Sequence, residues 1–166
     1  MNEVYTITSD NGDEYKLQFT TDRSGIIADE ILDYLCHEGV EVVEIGLGRS
    51  SGFNVTTPTV LAQIEDIVAD LLHRHPNAIL SFFCDFINTI PSTKKKIPVQ
   101  EYRSHLFSLM FNRYVSQHHI KGLHNLVTVV QGVKEPYYFH VIAWEHHLKY
   151  AKMILRGHQN DFGKPE

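Results

Sequence analysis

The chain lacks most of the features that announce a function from spacing alone. It has only 2 cysteines, Cys36 and Cys84, and they form no CxxC pair. A disulfide framework or a thiolate zinc site needs more, so two buried core thiols in a reducing compartment are expected. No apolar run approaches the ~20 residues needed to cross a bilayer. The opening MNEVYTITSD has no basic stretch followed by an apolar one, so no secretory signal is read there. Together these absences predict a cytoplasmic protein that does not enter a membrane. GxSxG, P-loop and GxGxxG patterns are all missing, which removes the nucleophile elbow and the common nucleotide cradles. No two of the 11 histidines stand four apart. A helical zinc site wants that spacing so that both imidazoles leave one face, and no metal or cofactor is expected.

Positive charge is scarce in the first part of the chain and negative charge in the second. Residues 1–93 hold 4 Lys and Arg against 15 Asp and Glu, while residues 94–166 hold 11 against 5. Net charge is −5, so the molecule as a whole is no polyanion binder. The asymmetry itself prompts a search for an anionic partner. The plainer reading is that the two segments pack side by side and cancel.

The rest of the composition is that of a folded protein. Hydrophobic residues make up 43% of the 166 and charged residues 21%, and this length suits one domain. One domain is expected over residues 1–158, with a polar tail at 159–166.

Periodicity supplies the elements. Val4–Ser9 and Glu14–Phe19 flank Asn11-Gly12, which predicts a hairpin with a two-residue turn. That register sets Val4 against Phe19, Thr6 against Leu17 and Thr8 against Tyr15. Gly25–Glu38 reads as a helix with Ser24 at its start, Gly39 at its end and Ile27, Ile31, Tyr34 and Leu35 inward. Val40–Leu47 reads as a strand and Gly48–Asn54 as a loop. Thr57-Pro58 opens the clearest helix, because Thr caps and Pro suits the first helical position. Its apolar stripe runs through Val60, Leu61, Ile64, Ile67, Val68, Leu71 and Leu72.

The run AILSFFC, Ala78–Cys84, is short and nearly all apolar, which favours a buried central strand. A helix follows from Pro98 to Gln117, with Tyr102, Leu106, Phe107, Leu109, Met110, Phe111 and Tyr114 on its apolar face. Leu123–Gln131 and Tyr137–Ala143 read as a second hairpin. A last helix runs from Trp144 to Arg156 and stops at Gly157. The order ββαβαβαββα predicts an α/β (α+β) fold with a single mixed sheet covered by helices.

The stretch YTITSDNGDEYKLQF, the strand ending in Cys84-Asp85, and Arg103…Phe107…Phe111 together carry a resemblance. The chain resembles a small family of uncharacterised bacterial cytoplasmic proteins with a domain of unknown function. It departs from that pattern after Asp85, where Phe86, Ile87 and Asn88 stand, and at Met110-Phe111, where the family has a Trp-Phe pair. The resemblance implies a cytoplasmic α/β protein and supplies no mechanism.

Two site hypotheses follow from the residues. Asp85 comes directly after the central strand, where open α/β sheets bind ligands. With Lys94, Lys95, Lys96 and Arg103 it would suit a metal-dependent phosphoesterase or nuclease, given a second carboxylate such as Glu41 or Glu44. The plainer reading has Asp85 capping a turn or pairing with Arg103. The second hypothesis is a non-enzymatic binding or regulatory module. It would dock a protein partner, or a second copy of itself, through charge-polarised surfaces. Lys94, Lys95, Lys96, Arg103, Arg113, His118, His119 and Lys121 are its candidate binding residues. Nucleic acid is the less favoured partner, because most aromatics of this segment fall at core positions.

Overall fold

The computed structural model describes residues 1–21, 25–54, 56–84, 99–131 and 136–163. Six strands form one mixed sheet in the order β1-β2-β3-β4-β6-β5. The chain runs β1 (Asn2–Thr8), β2 (Glu14–Thr21), α1 (Asp29–His37), β3 (Glu41–Ser51), α2 (Pro58–Arg74) and β4 (Ala78–Cys84). It continues through α3 (Val99–Gln117), β5 (Leu123–Val130), β6 (Tyr137–Trp144), a 3₁₀ turn (Glu145–His147) and α4 (Leu148–Gly163). This is the α+β order the periodicity predicts. β3 and β4 are parallel and joined through α2; every other neighbouring pair is antiparallel.

The sheet is a filling between two helical layers. Leu17, Phe19, Val43, Ile45 and Leu80 turn to one face and pack with Val60, Ile64, Leu71 and Leu72 of α2. Val42, Ile79, Phe139 and Val141 turn to the other and pack with Leu35 of α1 and Ala151 and Ile154 of α4. β4 is buried on both sides, since Ala78, Ile79, Leu80 and Ser81 are each at most 2% exposed. Its continuous apolar run reflects that, as expected for a strand with no wet face. Among the described residues, no helix is long and apolar enough to cross a membrane.

The first hairpin forms, one residue out of the predicted register. Ser9 N–H donates to the Asp13 carbonyl at 2.8 Å, so the loop has three residues rather than two. Only Gly12 takes a positive φ, +86°, as in a type I turn closed by a left-handed glycine. The pairs are therefore Glu3 with Phe19, Tyr5 with Leu17 and Ile7 with Tyr15. A one-residue slip exchanges faces, and Val4 ends 54% exposed.

Five further expectations change. α1 starts at Asp29, because Ala28 before it is extended, with ψ 138°; Gly25, at φ +78°, also lies outside the helical region. Its end at Gly39 is as predicted: Val40 N–H reaches the Leu35 carbonyl and Gly39 N–H that of Cys36, a Schellman closure. β3 does not stop at Leu47; it runs on to Ser51, because β2 pairs with it through Glu14. Gly157 does not end the last helix. α4 passes through it, and a Cβ there would overlap Ile31 Cδ1, so the glycine lets α4 lie close on α1. Cys36 is exposed rather than a core thiol, and Leu109 and Tyr34 are exposed rather than inward.

The capping prediction for α2 is met: the Thr57 hydroxyl accepts from the Val60 N–H, with Pro58 in the first turn. Thr57→Ala removes that acceptor. Chemical denaturation should show a loss of about 1 kcal/mol.

Candidate binding cleft

Among the described residues, the predicted site residues are spread along α3 and the segment after it. Asp85, Lys94, Lys95 and Lys96 lie outside the described residues. Arg103 and Arg113 are ten positions apart on α3, about 15 Å along the axis. Arg103 and Glu44 both line the cleft described below. His118, His119 and Lys121 follow the helix on its exposed end. Glu41 is no partner for the end of β4. It pairs with Ala78, at the opposite end of β4 from Cys84, and accepts from the Thr21 hydroxyl at 3.0 Å.

The acidic and basic stretches meet along α2 and α3. The Tyr114 hydroxyl donates to Asp66 Oδ1 at 3.0 Å, and its ring stacks on His118 at 4.0 Å. Burial and the Asp66 bond push the Tyr114 hydroxyl up to about 12. Burial, then the neighbouring Asp66, raises the Glu65 carboxyl above its usual range, and Arg113 and His118 pull it back. α3 thus brings the positive groups Arg113 and His118 near Glu65, while Asp66 is met by a neutral hydroxyl.

Above this contact α2 and α3 part, leaving a cleft of about 770 Å³ over the sheet. Its floor is Leu17, Ile45, Phe82 and Ile142, and its walls include Val68 of α2 and Met110 of α3. It runs the length of the parallel strands. Arg49, Phe53 and Thr56 stand at the carboxyl end of β3, and His73 and Leu123 at the other end. The volume lies within the ~300–1,000 Å³ of typical ligand sites.

A polar lock shapes the first mouth. Asp13, 2% exposed, accepts from Arg49 at 3.2 Å and from the Asn54 backbone N–H and side-chain amide at 2.9 Å each. Arg49 also donates to the Thr56 hydroxyl, which is bonded to the Tyr15 hydroxyl at 3.0 Å. Between Gly52 and Asn54 these bonds hold out Phe53, whose side chain is 88% exposed.

A second polar group is buried under α3. His140 is fully buried on β6. Asn125 spends its amide N–H on the Ser108 hydroxyl at 3.2 Å, so its carbonyl oxygen faces His140 Nδ1 at 2.9 Å. That arrangement puts the ring proton on Nδ1 and leaves Nε2 to accept from the Ser104 hydroxyl at 2.8 Å. Burial holds the imidazole down to about 4, so it is neutral at pH 7. Ser104, His140 and Asn125 have the bonding order of a nucleophile, base and orienter. Ser104, however, is 2% exposed and mid-helix, and neither it nor His140 lines the cleft. The chain of bonds pins α3 to β5 and β6.

Sequence reasoning missed the cleft and this network. One signal was available for the second: His140 breaks an otherwise apolar or aromatic strand, YYFHVIAW, and a polar residue there needs a partner. Among the described residues, no three His, Cys, Asp or Glu side chains gather to hold a metal. Comparison with protein-family models, curated proteins and solved structures finds no match to this chain.

Proposed function

We propose that the protein is a non-enzymatic binding module, and that its site is the cleft between α2 and α3. The guest is an elongated, mainly apolar molecule with one polar end beside Arg49, Thr56 and Tyr15. The observation that carries this reading is the cleft itself, with Leu17, Ile45, Phe82, Met110 and Ile142 along its interior. A mainly apolar lining with a few polar groups, here also Glu44, Glu65, His73 and Arg103, is what recognition of such a guest requires.

Titration with the fluorescent fatty acid cis-parinarate tests it. Saturable one-to-one binding is expected. Ala69→Phe, which projects a ring into the cleft from α2, should weaken it by at least about tenfold, or ~1.4 kcal/mol, with far-UV circular dichroism unchanged. Absence of saturable binding, or binding indifferent to that ring, overturns the reading.

A further inference from the structure

At the Arg49 mouth of the cleft, hydrogens outnumber the bonds that use them. The Tyr15 and Thr56 hydroxyls are 3.0 Å apart, and either can be the donor. Each hydroxyl carries a single hydrogen, so the pair spends one and keeps one, whichever way it is turned. Thr56 Oγ1 already accepts from Arg49 Nη2 at 3.2 Å. Arg49 has further N–H groups beyond those that reach Thr56 and Asp13. Tyr15 is 4% exposed, and Tyr15, Arg49 and Thr56 all line the cleft. A carbonyl oxygen suits this end, since it has two lone pairs to offer and no hydrogen of its own to place.

Charge decides which kind of carbonyl. The Arg49 guanidinium is already met at 3.2 Å by the buried Asp13 carboxylate. A guest carboxylate would be a second anion on one cation. Inside the cleft it would lose water without gaining a counter-ion of its own, and an uncompensated charge out of water is costly. Among the described residues, the rest of the lining sets Glu44 and Glu65 against Arg103 and His73, so it supplies no surplus of positive charge. An ammonium head has only hydrogens to give, and at this mouth it meets a guanidinium.

Granted the cleft as the binding site, on which this rests, we infer that the guest is an uncharged fatty-acyl compound, an ester or amide. Its carbonyl oxygen accepts from the Tyr15 and Thr56 hydroxyl pair, and its chain lies along Leu17 and Ile45. The free fatty acid is the poorer ligand. Asp13 thereby has a part in recognition as well as in holding the mouth: it takes up the charge of Arg49 and leaves the N–H groups to a neutral acceptor.

Fluorescence titration of the full chain with cis-parinaric acid and with its methyl ester, at about pH 8, compares two head groups on one tail. The ester should bind at least about tenfold tighter. Its greater hydrophobicity also favours it, so the ratio is read again in two variants. Asp13→Asn removes the anion behind Arg49 and should narrow the ester-to-acid ratio by at least about fivefold, even where both ligands weaken. The double variant Tyr15→Phe/Thr56→Val removes both hydroxyls. It should cost the ester about fivefold relative to the hydrocarbon probe diphenylhexatriene, and it gives the answer if Asp13→Asn does not fold. An acid that binds as tightly as the ester overturns the head-group assignment and leaves the cleft reading standing. An ester preference unchanged in every variant that folds reports hydrophobicity alone and overturns it too. If neither ligand saturates, the cleft reading falls and the assignment with it.

Discussion

Asp13→Ala will unfold at markedly lower denaturant than the wild type, with a loss of about 3 kcal/mol. The carboxylate is buried and takes three hydrogen bonds, two of them from Asn54. Alanine leaves the Arg49 guanidinium, itself 22% exposed, without its anion, and leaves the Asn54 amides unanswered. Removing one member of a buried pair costs more than the pair contributed. Gly52→Ala should do much the same without touching a charge. Gly52 holds φ +91°, and an added Cβ would overlap the Asp13 carboxylate. Urea denaturation of both variants checks this; losses below about 1 kcal/mol would remove the lock as an explanation of the mouth. Both variants should also weaken cis-parinarate binding, because Phe53 then loses its support.

Acidification gives the second large effect. An unfolded histidine titrates near 6.5, whereas burial holds His140 down to about 4. Above pH 6.5 the ring is neutral in both states and the network contributes fully. As pH falls from 6.5 to 4 the unfolded chain takes up a proton that the folded one refuses. Stability therefore drops through that window, by on the order of 3 kcal/mol, and levels below it. His147, lowered by burial and by His146, adds loss of the same sign. Glu3 acts at lower pH. The Arg74 and Tyr5 bonds hold it down to about 2, so its contribution is lost between about 4.5 and 2. Urea midpoints at half-unit pH steps should show the His140 loss first. His140→Gln, less stable at pH 7.5, should give a shallower slope from 6.5 to 4. An unchanged slope would show that His140 does not set it.

Elements were legible where one local rule acted alone. Thr57-Pro58 marks the start of α2 because capping and the proline φ agree. AILSFFC reads as central because only Ser81 interrupts its apolar run. The hairpin register was misread because Asn11-Gly12 fits a two-residue turn locally, while the three-residue loop places Tyr5, Ile7, Tyr15, Leu17 and Phe19 on one side. Packing over α2 outweighs the tighter turn. Gly48 in β3 and Gly157 in α4 misled for a related reason. Glycine weakens a strand or helix, but pairing with β2 and the close approach of Ile31 decide those positions. The cleft was invisible, because it is a gap between two helices that each read as ordinary amphipathic segments. The buried network was half visible through His140; its partners come from β5 and α3, 15 and 36 residues earlier.

The place of β6 in the sheet bears on how the chain is made. β6 lies between β4 and β5, although β4 ends at Cys84 and β6 begins at Tyr137. At ribosomal speeds of about 5–20 residues per second, the nascent β4 waits roughly 3–10 s for that neighbour. During that interval an uncharged apolar segment has one flank unpaired. The stretch AILSFFC is thus the natural place for a chaperone to hold a half-made chain.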